Sequence, residues 1–69
     1  MKYVVVLEPT ATGYSAYAPD LPGCIAAAAT IEETEALIRD AISEHVGLLK
    51  ERGERVPEPA SRAALVEVA

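Results

Sequence analysis

Apolar residues are concentrated in a few segments of the chain, and the first of these has no polar interruption. Residues 3–7 read Tyr-Val-Val-Val-Leu. β-branched residues favour strands, and a run without alternation is typical of a strand that is covered on both faces or lies centrally in a sheet. The pattern predicts a first strand near residues 2–8.

A second strand is predicted near residues 13–18, after the turn-forming residues 9–13. Tyr14 and Tyr17 lie three positions apart, and this spacing places them on opposite faces of a strand. We expect one tyrosine to meet the rest of the core and the other to face solvent or a partner, and the sequence leaves open which. The two strands should form an antiparallel hairpin.

The next apolar segment, residues 24–29, is ambiguous. A turn is predicted at residues 19–23, because two prolines fix φ, Asp20 can bind a nearby backbone N–H and Gly23 permits positive φ. Four alanines then favour a helix, whereas the short length and the preceding turn favour a third strand near 24–29. A capping box at Thr30 and Glu33 favours the strand, because a helix that begins at Ile31 excludes the alanines.

Helical periodicity follows over residues 31–52. Apolar and small side chains recur at spacings of three or four and form one stripe, with charged residues opposite. Gly53 supplies the stop signal. The stripe consists of Ile31, Thr34, Ile38, Ala41, Ile42, His45, Val46 and Leu49.

After the helix, the prolines in residues 54–60 indicate an extended linker, and the apolar residues 64–68 predict a last strand near 63–68. The order β-β-β-α-β predicts one α+β domain over residues 1–69, with a small four-stranded sheet covered on one face by one long helix. The helix would cross over and return the last strand parallel to the first.

Composition adds that the core is thin. Hydrophobic residues make up 51% of the chain, yet Phe and Trp are absent and Tyr occurs three times. A domain of this size buries only about 60% of the surface that its unfolded chain exposes. Open strand edges and a thin core together predict a homo-oligomer, either a dimer or a tetramer.

Charge and cysteine content restrict the partners. The net charge of −5 and the pI of about 4.6 have the wrong sign for gripping phosphate backbones, so no direct nucleic-acid binding is expected and a basic partner protein is favoured. One Cys and one His form no metal-binding spacing, and no metal or cofactor is predicted. The apolar N-terminal run is too short for a signal peptide or a membrane span, so we expect a cytoplasmic protein.

Catalytic alternatives are weaker. Glu8, Asp20 and Glu33 could suggest a two-metal nuclease, but Glu33 is explained by the helix cap and Asp20 by the turn. His45 has no suitably placed partner, and Cys24 has no histidine positioned to lower its pKa. Structural roles are favoured for both, and no enzymatic activity is predicted.

Residues 13–24 closely resemble the Tyr-x-x-x-x-Pro-Asp-Leu-Pro-Gly-Cys block of HicB-like antitoxin domains. The resemblance continues through residues 30–33, through Ala41 and Ile42, and through residues 53–59, which are similar to a Gly-x-x-(Ile/Val)-Pro-x-Pro ending. It implies a partial ribonuclease H-like fold without that enzyme's catalytic carboxylates, and a HicA-like toxin that cleaves mRNA as the partner. Many members append a DNA-binding module, and none is expected in residues 1–69.

The leading hypothesis is therefore an antitoxin that occludes a HicA-type toxin with an acidic, partly aromatic face. Candidate partner-binding residues are Tyr14, Tyr17, Asp20 and Leu21, although the turn at residues 19–23 is favoured chiefly as architecture. One alternative is an orphan oligomeric domain with a structural or small-ligand-binding role. Another is a ribonuclease H-type enzyme, which would cleave RNA with Mg²⁺.

Overall fold

The structure, a computed structural model, describes residues 1–69. Its sheet is antiparallel, with the strands in the order β1-β2-β3, and one long helix follows the strands. The α+β class and the order of the first four elements are confirmed. These elements are β1 (Val6–Pro9), β2 (Tyr14–Tyr17), β3 (Ile25–Ala28) and α1 (Ile31–Glu51).

The predicted fourth strand near residues 63–68 is wrong, because the sheet has three strands. Residues 54–69, the C-terminal segment, form neither helix nor strand. Leu65, Val66 and Val68 are 104%, 79% and 83% exposed. Their β propensity is real, but a strand also needs a ladder partner for its backbone groups, and none lies beside them.

Long-range hydrogen bonds explain why the C-terminal segment misses the sheet. The Tyr3 hydroxyl donates to the Pro57 carbonyl at 2.6 Å, and the Asp20 carboxylate accepts from the backbone N–H groups of Ala60 and Ser61. The segment thus passes from the start of the first apolar run to the loop between β2 and β3. This path leads away from the free edge of β1, so the segment does not return parallel to the first strand.

β1 begins at Val6, later than the predicted start near residue 2. Val6 is the Cα partner of Tyr17, the last residue of β2, after which the chain turns into the loop of residues 18–24. Residues 3–5 therefore lack a ladder partner, although Tyr3 and Val5 still pack against the core. The strand is shorter than its apolar run because its neighbour ends first.

Strand register divides the sheet into two faces. Leu7, Ala16 and Ala26 are Cα partners across the three strands and lie beneath α1, on what we name the covered face. The positions that alternate with them lie on the opposite side, the outer face, which no element of the chain covers. α1 packs mainly against β3 and β2.

The core is as thin as its composition indicates. Only six of the 69 residues are buried, and the five apolar ones form a single cluster. The sixth, Thr34, satisfies its hydroxyl by donating to the Thr30 carbonyl at 2.7 Å. The apolar cluster consists of Ala16, Ala18, Leu21, Cys24 and Ile38.

The helix ends closely match their sequence signals. Thr30 is the N-cap, and its hydroxyl oxygen accepts the Glu33 backbone N–H at 3.1 Å. The same hydroxyl donates to the Glu33 carboxylate at 2.9 Å, so that carboxylate orients the cap rather than reaching back to the backbone. At the other end Arg52 caps the helix and Gly53 adopts a φ of +69°, which favours glycine.

Gly13 matters for a reason that turn chemistry does not reveal. A Cβ at this position would overlap the carbonyl oxygen of Ala28 and lie 2.7 Å from the Cα of Ala29. The hairpin turn therefore packs backbone to backbone against the junction between β3 and α1. Absence of a side chain, rather than unusual φ, makes glycine suitable here.

Candidate protein-binding surface

An apolar row crosses the outer face of the sheet. Val6, Tyr17 and Ile25 are Cα partners on the three strands, so their side chains lie side by side. Tyr17 is 41% exposed and Ile25 is 71% exposed, while Val6 is half-buried. A contiguous exposed apolar surface of this kind is typical of protein-binding sites, whereas scattered single residues are not.

One carboxylate borders this row, and most of the other acidic residues lie on the helix at the opposite side of the sheet. Glu8 is exposed on the same face, two positions after Val6, and its Cα partner is Ser15. The exposed side of α1 adds further carboxylates to a chain whose net charge is −5. The outer face thus combines an apolar, partly aromatic strip with the Glu8 carboxylate, and the chain as a whole is acidic. The exposed helix acids are Glu32, Glu33, Glu35, Asp40, Glu44 and Glu51.

The structure decides which tyrosine faces outward. Tyr14 is the Cα partner of Pro9 and Ala28 and lies two residues before Ala16, so it belongs to the covered side and is half-buried. Tyr17 lies on the outer face. The two predicted tyrosines are therefore not brought together.

Leu21 lies in the core and is fully buried. The loop that carries it is held by its own backbone: Leu21 N–H donates to the Ala18 carbonyl, and Cys24 N–H donates to the Leu21 carbonyl, each at 3.1 Å. Gly23 completes the reversal with a φ of +84°. This loop is the rigid turn that its prolines and glycine predict.

Asp20 holds the C-terminal segment against the loop. One carboxylate oxygen accepts the backbone N–H groups of Ala60 at 3.0 Å and Ser61 at 2.9 Å, and the other accepts the Ser61 hydroxyl at 2.8 Å. The Ser61 N–H, followed by the Ala60 N–H and the Ser61 hydroxyl, lowers the pKa of Asp20 below its ordinary value. Sequence reasoning missed this contact, because the partners lie about 40 positions apart and carry no local signal.

Sequence reasoning also missed Val6 and Ile25 as members of the exposed row. Their types are compatible with any strand, and only the register reveals that both flank Tyr17. A signal did exist in the first apolar run, because a strand that is apolar on both faces has a second face to cover. The sequence does not indicate which element or partner covers this second face.

The remaining chemically capable groups occupy structural positions. Burial raises the pKa of the Cys24 thiol, which disfavours the reactive thiolate form. His45 is half-buried and lines a shallow cavity with Cys24, Ala41 and Leu48. No group of three or more His, Cys, Asp or Glu side chains is placed to hold a metal ion. Nor does any helix combine the length and apolar character needed to cross a bilayer.

Comparison with known proteins adds one family and one relative. Residues 3–68 match the family described as HicB_like antitoxin of bacterial toxin-antitoxin system. The chain is also similar to the uncharacterized 14.9 kDa protein in the rep-hol intergenic region of Haemophilus phage HP1 (strain HP1c1), with 34% identity over 58 residues. That match covers 84% of this chain and 44% of the phage protein, so the chain spans less than half of its relative.

Proposed function

The chain belongs to the HicB-like antitoxin family, and from that premise we propose that it binds a HicA-type, mRNA-cleaving toxin and occludes its RNA-cleaving surface without any catalysis of its own. The family match supports a role in a toxin-antitoxin system. The observation that carries the proposal is the apolar row of Val6, Tyr17 and Ile25, which lies exposed on the outer face. The row supplies a contact surface, and no reaction is assigned to it.

Tyr17 is the proposed anchor of the interface. Tyrosine buries a large apolar ring while its hydroxyl keeps a hydrogen-bond partner, which makes it a frequent hot spot in protein interfaces. Ile25 and Val6 on either side would exclude water from the contact. Tyr14, Asp20 and Leu21 enter the proposal as supports: Tyr14 and Leu21 pack inward, and Asp20 fixes the adjoining loop.

Electrostatics fit a toxin that handles RNA. A protein that binds RNA presents basic residues, and a domain with a net charge of −5 attracts such a surface and repels RNA itself. In this proposal Glu8 borders the contact and contributes mainly to the association rate, whereas the apolar row determines how long the complex persists. Salt should therefore slow association more than it speeds dissociation.

Two further properties belong to the proposal. The fold is a partial ribonuclease H-like domain that acts in the cytoplasm, where mRNA-cleaving toxins find their substrate. The domain also self-associates as a dimer or tetramer, which the thin core and the uncovered outer face support. Self-association and toxin binding are separate expectations and are tested separately.

The direct test mixes the purified protein with a candidate HicA-type toxin and measures both affinity and protection of RNA from cleavage. We expect tight binding and full protection. Tyr17→Ala should raise Kd roughly thirtyfold or more, since a hot-spot tyrosine contributes about 2 kcal/mol or above.

Leu37→Ala is the matched control, because Leu37 is 47% exposed on α1, away from the outer face. It should bind like the unmodified chain. If the Tyr17 and Leu37 variants bind the toxin with equal affinity, the interface does not lie on the outer face. Absence of binding by the unmodified chain would favour the alternative of an orphan domain with a structural or small-ligand-binding role.

A further inference from the structure

The C-terminal segment ends in an apolar stretch that the fold does not use. Leu65 is 104% exposed, Val66 is 79% exposed and Val68 is 83% exposed. Together with Ala64 and Glu67 they make a five-residue sequence with the composition of a strand, which we name the tail strand (residues 64–68). A β-prone sequence left in water is a template for pairing with another chain.

The acceptor for such a strand is the free edge of the sheet. β1 is an edge strand, and residues 3–5 before it make no ladder bonds. Because α1 lies over β3 and β2, it leaves a groove of about 400 Å³ beside β1, the β1 groove. Its apolar lining consists of Met1, Tyr3, Val5 and Leu7 on the strand side and Ile38 and Ile42 on the helix side.

We propose that two copies of this chain exchange tail strands, each adding residues 64–68 to the free edge of residues 3–7 in the other copy. This inference rests on the proposed self-association and specifies its structural basis. Side chains alternate along a strand, so Val66 and Val68 would fill the partner's β1 groove. Leu65 would then lie on the outer face beside Val6 and lengthen the apolar row.

Charge sets the direction of the exchanged strand. Lys2 precedes the first apolar run and Glu8 follows it, while Arg62 precedes the tail strand and Glu67 lies near its end. An antiparallel pairing therefore places Glu67 near Lys2 on the outer face. A parallel pairing would instead place Glu67 near Glu8, and two like charges so close are destabilising.

Charge and chain path together exclude the chain's own tail strand as the occupant. Lys50, near the end of α1, lines one groove with Tyr3, so the chain leaves the helix at the beginning of the first apolar run. A tail strand returning along its own β1 would run parallel to it and pair like charges. Asp20 also holds residues 60 and 61 at the loop between β2 and β3, away from that edge.

The exchange is reciprocal, and reciprocity makes a sharp test possible. In a homodimer, Lys2→Glu sets two carboxylates against each other at both contacts, and Glu67→Lys sets two ammonium groups against each other at both contacts. A mixed dimer of the two variants instead has an opposite-charge pair at both contacts, and so does the double variant Lys2→Glu with Glu67→Lys. Lys2 and Glu67 are exposed, so neither substitution should disturb folding.

The experiment measures dimer formation of the two single variants and the double variant by native mass spectrometry at micromolar concentration, with circular dichroism to confirm that each is folded. We expect each single variant to dimerise at least tenfold more weakly than the unmodified chain. The double variant should recover most of that loss. Val66→Asp with Val68→Asp should abolish the dimer, and Leu37→Asp on the exposed side of α1 should not.

The outcomes separate this inference from its premises. If the charge variants and the double valine variant all dimerise as strongly as the unmodified chain, self-association would stand and tail-strand exchange would be overturned. A monomeric unmodified chain at this concentration would overturn self-association and the exchange together. Toxin binding is measured separately on the same variants, so a failure there would leave the exchange standing.

Discussion

Neighbouring positions on the same three strands face opposite sides of the sheet, and both sides carry an apolar row. On the covered face, Leu7, Ala16 and Ala26 pack beneath α1. On the outer face Tyr17 is 41% exposed and Ile25 is 71% exposed. The covered row has small residues at its centre, which allow the helix to approach, whereas the outer row has large ones. The difference in side-chain size explains why this helix packs on one row and not on the other.

The largest expected effect tests whether the two faces really differ in burial. Ile38 is 2% exposed between the helix and the covered face, and Ile25 is 71% exposed on the outer face. Ile38→Ala should lower the free energy of unfolding by about 2–5 kcal/mol, because it leaves a cavity in a thin core. Ile25→Ala should change it by no more than about 0.5 kcal/mol. Urea denaturation of both variants measures the contrast, and similar losses would show that the outer face is buried in solution.

An intermediate effect is expected where the hairpin meets the start of the helix. Gly13→Ala forces a methyl group against the backbone at Ala28 and Ala29, which must shift. Overpacking of this kind costs about 1–3 kcal/mol. Thermal unfolding should show a lower Tm, whereas Gly47→Ala, on a helix position with open space around it, should raise or preserve the Tm. Equal behaviour of the two variants would contradict the close backbone packing at Gly13.

The smallest expected effect concerns the C-terminal segment, which covers neither face because Asp20 holds it at the end of the sheet. Since hydrogen bonds lower the pKa of Asp20 in the folded chain, its contribution is present above its ordinary value of 3.8 and is lost as pH falls through the lower folded value. Hydrogen exchange at the Ala60 and Ser61 amides should accelerate over that acidic window relative to amides of β2. In Asp20→Asn these two amides should exchange faster already at neutral pH. Unchanged protection in the variant would mean that another group holds the segment.

Local signals account for the parts of the fold that were predicted well. The capping box at Thr30 and Glu33 located the helix start, and Gly53 located its end to within one residue of the predicted limit. The same cap resolved the alanine-rich residues 24–29 as β3, against their intrinsic helix propensity. Each of these features is decided by residues within one turn of one another, so the sequence carries them directly.

The candidate site was predicted less completely. Tyr17 was among the expected partner-binding residues and does lie on an exposed face, but its neighbours Val6 and Ile25 come from other strands. Leu21, from the same motif as Asp20, is fully buried. A sequence motif marks a position as constrained without distinguishing a side chain that holds the loop from one that meets a partner.

The sequence by itself determined the α+β class, the hairpin, the helix and its caps, the acidic charge and the resemblance to HicB-like antitoxins, because these depend on local propensity, periodicity and composition. Only the tertiary structure decided which tyrosine faces outward, that Asp20 binds residues 60 and 61, and that residues 64–68 join no sheet in their own chain. Those outcomes depend on partners distant in sequence. A strand-prone segment becomes a strand only where an unpaired edge lies within its reach.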